Sequence, residues 1–228
     1  MIELGLQPDR FSQTVARTVL NYQSWRLDFT LPEAQKYVLV GAPHTSGWDF
    51  LYTMLLSHAA GIKLHWVGKD TLFKRPFGSI LHKLGGIPVN RRSRNNFVQQ
   101  IVDVFNQHSK LVVAIAPEGT RDNVPYWKTG FYYIALGASV PIALGYIDYA
   151  EKTVGIGPTL FPSGDLQADF DQIKSFYAGK LGKHPHRQGK FNFAQPTTDE
   201  KLKNSSAALH SGHCSPSLTP IPHWVIPV

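Results

Sequence analysis

Apolar residues recur along the chain in two rhythms. Short, nearly unbroken apolar runs at Lys36–Ala42 (KYVLVGA), Leu64–Gly68, Ile87–Asn90, Leu111–Ala116 (LVVAIA), Val140–Tyr149 and Thr153–Ile156 read as strands. Between them apolar residues return at helical spacing. Phe97, Ile101, Val104 and Phe105 mark a helix over Phe97–Gln107, and Leu166, Phe170, Ile173 and Tyr177 mark another over Leu166–Leu181. Gly47–Ala60 and Gly130–Gly137 also read as helices. Asp9–Leu20 carries Phe11, Val15 and Val19 along one side, an amphipathic pattern whose apolar stripe serves either to cover the core or to lie on a bilayer. Strands alternating with helices predict an α/β fold, a single domain with a largely buried central β-sheet flanked by helices. After about Gly182 the periodicity stops, and Pro, Ser, His and Thr dominate. The domain, including the N-terminal amphipathic helix, is therefore expected over 1–182, with a loosely ordered tail over 183–228.

Composition narrows the class. The 228 residues are 43% hydrophobic and 17% charged, which excludes a disordered polyelectrolyte. The single cysteine, Cys214, excludes an intramolecular disulfide. The first residues do not read as a signal peptide. Phe50–Val67 is interrupted by His58, Lys63 and His65, and Phe131–Ile147 by Gly137, Pro141 and Gly145. Both fall short of the roughly 20 apolar residues a span requires, so membrane contact is expected to be peripheral.

Charge adds a location. The stretch from Lys63 to Arg94 holds eight basic residues against Asp70 alone, the whole of the formal excess of +7. Such a zone fits an anionic partner, whether phosphate, phospholipid headgroup, phosphorylated cofactor or nucleic acid, and equally fits a solvated basic face.

The chemistry-bearing residues cluster at strand ends, a favoured place for function in α/β folds. Pro43-His44-Thr45-Ser46-Gly47-Trp48-Asp49 follows the first strong strand. His44 and Asp49 are five residues apart and would point about 140° away from each other on one regular helix. They meet only if His44 lies in the turn before the helix. Asp49 would then accept a proton from one ring nitrogen and leave the other free as a base. Ser46 followed by Asp49 also has the form of a capping box, with Asp49 merely serving the helix start. Ala116-Pro117-Glu118-Gly119-Thr120-Arg121 follows LVVAIA and offers Arg121 as a fork for phosphate. A structural turn with a local Glu–Arg pair is the competing reading. Gly85-Gly86-Ile87-Pro88-Val89-Asn90-Arg91-Arg92 lies in the basic zone, and Val140-Pro141-Ile142 joins a helix to a strand. There is no Gly-x-Ser-x-Gly elbow and no Walker loop. His210, His213 and Cys214 lack a second ligand pair, so no metal site is expected.

In this order the four blocks resemble the glycerolipid acyltransferase family, which includes the 1-acyl-glycerol-3-phosphate acyltransferases. That family carries a His-x4-Asp block, a Gly-x5-Arg block, a Phe-Pro-Glu-Gly-Thr-Arg block and a Val-Pro-Ile block. Here they stand as His44–Asp49, Gly85–Arg91, Ala116–Arg121 and Val140–Ile142, and the likeness extends over about Tyr37–Asp148. Ala116 replaces the usual Phe, Pro43 replaces the common Asn, and the N-terminal membrane helices of many relatives are missing. The resemblance implies a glycerol-3-phosphate acyltransferase-like fold and transfer of a fatty acyl group from acyl-CoA or acyl-acyl carrier protein, with no bound cofactor. The acceptor would be the hydroxyl of a lysophospholipid or glycerol phosphate. It makes His44 and Asp49 catalytic, and Lys69, Asn90, Arg91, Glu118, Gly119, Thr120 and Arg121 substrate-binding. It also implies a cytoplasmic protein in contact with an anionic membrane surface on the inner face, with no nucleic-acid partner. The reading from another class is a non-catalytic peripheral protein that binds anionic lipid.

Overall fold

The computed structural model describes residues 7–74, 76, 78–89 and 97–193. Its strands are β1 (Arg26–Phe29), β2 (Lys36–Ala42), β3 (Leu64–Lys69), β4 (Gly86–Val89), β5 (Leu111–Ile115), β6 (Ile142–Asp148) and β7 (Thr153–Leu160). Its α-helices are α1 (Arg10–Tyr22), α2 (Trp48–Ala59), α3 (Gly78–Lys83), α4 (Phe97–Gln107), α5 (Gly130–Gly137) and α6 (Leu166–Tyr177). The seven strands form one sheet in the order β1-β7-β6-β2-β5-β3-β4, parallel at every pairing except β6 with β7. This is the α/β fold with a buried central sheet expected from the alternation of runs.

The central strands are apolar on both sides because helices cover both faces. Val38 and Val40 of β2 face Ile101, Phe105, Phe131, Ile134 and Ile173 from α4, α5 and α6. Tyr37 and Leu39 face Ala16, Leu20, Leu56 and Ala59 from α1 and α2. Since β2, β5, β3 and β4 run parallel, their carboxyl ends open on one edge, where the turns bearing His44, Lys69 and Glu118 gather. Among the described residues no helix is long and apolar enough to cross a membrane.

Four features differ from the sequence reading. Strand β1 has only four residues, alternates exposed and half-buried positions, and carries Arg26 and Asp28 on the sheet edge, so it leaves no apolar run. Helix α3 is six residues long and starts on a glycine, too short for a periodic signal. Helix α6 ends at Tyr177, with Gly179 in the left-handed region at φ +84 just beyond. Helix α1 turns Ala16 and Leu20 inward and leaves Phe11 and Val15 exposed, so the stripe read as apolar is largely its solvent face.

The described fold also runs past Gly182. Leu181–Phe193 returns across the domain and pairs Trp127 with Asn192 and Phe193. Trp127 is buried at the centre of an aromatic group with Phe131, Phe170, Tyr177 and Phe191. The expected tail from residue 194 onward lies outside the described residues.

Candidate active site at the carboxyl ends of β2 and β5

The chain leaves β2 at Ala42 and enters α2 at Trp48, so His44 sits in the intervening turn rather than on the helix. That placement brings its Nδ1 to 3.2 Å from Asp49 Oδ2. The same Oδ2 accepts the main-chain N–H groups of Thr45 at 2.8 Å and Ser46 at 2.9 Å, while Ser46 Oγ accepts from Trp48 N at 3.2 Å. Asp49 therefore serves the helix start and the His–Asp pair with one oxygen, while the box is not reciprocal, because the Asp49 N–H donates to Ser46 O at 3.3 Å and not to Ser46 Oγ. Its other oxygen, Oδ1, accepts the Tyr149 hydroxyl at 2.7 Å.

Asp49 is buried. Burial alone would raise its carboxyl, but hydrogen bonds from His44, Tyr149 and the Ser46 N–H outweigh it and hold the carboxyl below its usual value. An ionised carboxylate only accepts, so His44 Nδ1 must be the donor, and in the neutral imidazole Nε2 carries the free lone pair. The same contact, with burial as the larger cause, pushes the Tyr149 phenol upward and keeps it protonated as a donor.

The neighbouring parallel strand β5 delivers Glu118. Its carboxylate Oε1 accepts the His44 main-chain N–H at 3.0 Å, and Oε2 is buried with no hydrogen-bond partner among the described residues. Burial pushes this carboxyl up to about 7. Glu118 thus buttresses the His44 turn from behind. Gly119 adopts φ +69, a conformation that glycine tolerates, and its N–H closes the turn onto Ala116 O at 3.1 Å. Thr120 exchanges long contacts with Asp122 in its own loop. Arg121 reaches over the start of α2, where a Cβ added to Gly47 would stand 3.2 Å from its Nη1.

Beneath His44 and Asp49 an apolar cavity of about 170 Å³ runs between the sheet and α2. Leu39, Gly41, Phe50, Leu56, Leu64, Trp66 and Ala114 are among its lining. Gly41 shares the face of Leu39, and a Cβ there would meet nothing within 4 Å. Its lining is mostly apolar and includes His44 and Asp49.

Of the residues singled out in the sequence, the structure gathers His44, Asp49, Glu118 and the Gly119–Arg121 turn. Lys69 is exposed at the carboxyl end of β3, on the same edge but with no contact to the pair. Asn90 and Arg91 lie outside the described residues, directly after β4. Tyr149 was read only as the end of an apolar run. Its one sequence signal is a polar-tipped aromatic at the carboxyl end of a strand.

A profile of the acyltransferase family matches residues 26–144. No curated protein matches the sequence. Among solved structures the chain is similar to the crystal structure of the 1-acyl-sn-glycerophosphate acyltransferase PlsC from Thermotoga maritima. That likeness has a TM-score of 0.51 at 16% identity and covers 76% of this chain and 81% of the other.

Proposed function

Because this chain belongs to the acyltransferase family, we propose that it moves a fatty acyl group from a thioester to the hydroxyl of a lysophospholipid or glycerol phosphate, with His44 as general base. The observation that carries this reading is the His44–Asp49 pair, 3.2 Å apart, in the lining of an apolar cavity. A base with an engaged Nδ1 and a free Nε2 suits a hydroxyl acceptor, and the cavity suits an alkyl chain.

The thioester of coenzyme A or acyl carrier protein enters with its chain in the cavity and its carbonyl beside His44. The acceptor hydroxyl gives its proton to Nε2 as its oxygen forms a bond to the carbonyl carbon. Asp49 holds the imidazole in the required tautomer and stabilises its positive charge, as the acid of a hydrolase triad does. The tetrahedral intermediate collapses with cleavage of the carbon–sulfur bond. The proton on His44 passes to the leaving thiolate, and an ester and a free thiol result. A base so placed contributes about 10²–10⁴-fold.

Arg121, beside the His44 turn, is the described cation best placed for an acceptor phosphate. Lys69 lies on the same edge, and Arg91 takes the same role in this reading. The PlsC of Thermotoga maritima is named as a 1-acyl-sn-glycerophosphate acyltransferase, which supports a phosphorylated glycerolipid acceptor. Peripheral contact with an anionic membrane, on its cytoplasmic face, belongs to the same reading. Exposed Trp48 and Leu51 at the start of α2 offer an apolar surface near the site, with Lys183 Nζ 4.8 Å over the Trp48 ring.

The test is release of free thiol from acyl-CoA or acyl-acyl carrier protein across acceptors. Lysophosphatidate, glycerol-3-phosphate and a lysolipid without a terminal phosphate separate the substrates. Acceptor-dependent release is expected, strongest with a phosphate monoester. No release with any acceptor contradicts the reading.

A further inference from the structure

We propose that Tyr149 is a positioning residue for Asp49, and that the segment Leu181–His184 holds it there. The proposal rests on the reading of His44 as the base. Of the hydrogen bonds to the Asp49 carboxylate among the described residues, the one from Tyr149 is the shortest at 2.7 Å, and it alone engages Oδ1. The Thr45, Ser46 and His44 contacts all converge on Oδ2. The Oδ2 contacts already restrain the last torsion of the carboxylate, which is otherwise broad. A donor on the second oxygen adds a restraint on its plane from the other side and draws on the negative charge that Asp49 presents to His44.

Tyr149 is itself anchored from two sides. Its ring packs against Trp25 and Tyr52, with centroids 5.1 and 5.8 Å away. Its main-chain N–H donates to Leu181 O at 2.9 Å. The next residues of that segment touch Thr45, whose N–H donates to the other oxygen of the carboxylate. Gly182 lies so close to Thr45 that an added Cβ would stand 2.6 Å from Thr45 Oγ1, and the His184 N–H donates to that Oγ1 at 3.1 Å. One short segment therefore braces both Thr45 and Tyr149, which supply donors to Asp49. Both Tyr149 and this segment lie beyond residues 26–144, the part matched by the family profile. The other titratable and charged groups around the pair include Glu118, from the turn after β5, Tyr52, across the aromatic cluster, Arg121, over Gly47, and Lys183 and His184, beside Trp48 and Thr45.

Tyr149→Phe keeps the ring in its cluster and removes only the donor. Tyr52→Phe is the control, since its hydroxyl belongs to the same cluster but bonds Gln23 Oε1 at 3.0 Å. In full-length protein, Tyr149→Phe is expected to lower kcat about tenfold through misorientation, with both KM values little changed. The acidic limb of kcat/KM should move to higher pH. Without the phenol drawing on its charge, Asp49 holds protonated His44 more tightly, and a higher pH is needed to free the base. Difluorotyrosine at 149, a stronger donor of nearly the same shape, should move the limb the other way, a result independent of packing. Tyr52→Phe should leave turnover and the limb unchanged. Wild-type kcat and an unmoved limb in Tyr149→Phe overturn the proposal, as does the same shift in Tyr52→Phe. His44→Ala in the same assay separates this from failure of the reaction assignment. If that variant retains full turnover, the base itself is wrong.

Discussion

The Glu118 carboxylate accepts the main-chain N–H of His44 at 3.0 Å, across two neighbouring parallel strands. The contact ties the second strong block of the sequence to the first through the backbone rather than through substrate. Glu118 is 3% exposed, and one of its oxygens has no partner among the described residues.

That burial makes a prediction about stability. The Glu118 carboxyl rises from 4.5 to about 7, so the folded state holds this proton more tightly than the unfolded chain. The stabilisation it brings is complete below pH 4.5 and is lost as pH rises through 7. Glu118→Gln keeps an oxygen for the His44 N–H but removes the charge. Above pH 7 the variant should be the more stable, by up to roughly 3 kcal/mol at about 1.4 kcal/mol per unit. The gap should close toward pH 4.5. Denaturant titrations of both proteins across this range check it, and a gap that does not vary with pH contradicts it.

The cavity predicts a chain-length effect. Gly41→Val adds a side chain where a Cβ meets nothing within 4 Å, so the fold should tolerate it. The new methyl groups occupy space assigned to the acyl chain. Turnover with long-chain thioesters should fall by about tenfold or more, the equivalent of roughly two buried methylenes, while an acetyl donor should be spared. Equal losses for both donors would remove the cavity from the acyl path.

Arg121 and Gly47 predict a paired effect on the acceptor. Arg121→Ala should raise KM for a phosphorylated acceptor by about tenfold, from loss of a charge-assisted contact, and leave the donor KM alone. Gly47→Ala should do the same more weakly, since its Cβ would press within 3.2 Å of Nη1. Steady-state kinetics with glycerol-3-phosphate checks both. An unchanged acceptor KM in Arg121→Ala takes the phosphate role away from it.

Most of the fold was legible because central strands and long helices announce themselves locally. LVVAIA and KYVLVGA cannot sit comfortably anywhere but in a sheet covered on both faces. Edge strand β1 could not be read, because a four-residue edge with two charges needs only its neighbour's hydrogen bonds. The buried face of α1 could not be read, since Phe11 and Val15 satisfy the same helical period as Ala16 and Leu20, and the packing of α1 on α2 decides between them. In the candidate site, His44 and Asp49 could be paired from their spacing, but the choice between a cap and a pair was a false one. The Ser46 N–H and His44 Nδ1 share one carboxylate oxygen. Tyr149 stands 100 residues from Asp49, and no local pattern connects them. Likewise, a Pro- and His-rich stretch reads as tail until Thr45 is seen to accept its N–H.

The central claim is that the imidazole of His44 is the base for acyl transfer. Its most direct test compares His44→Ala with the wild type for thiol release from acyl-CoA in the presence of lysophosphatidate, with folding verified by thermal melt. A base of this kind contributes about 10²–10⁴-fold, so the variant should retain at most about a hundredth of the wild-type rate with its melting transition intact. A folded His44→Ala protein that transfers the acyl group at the wild-type rate contradicts the account.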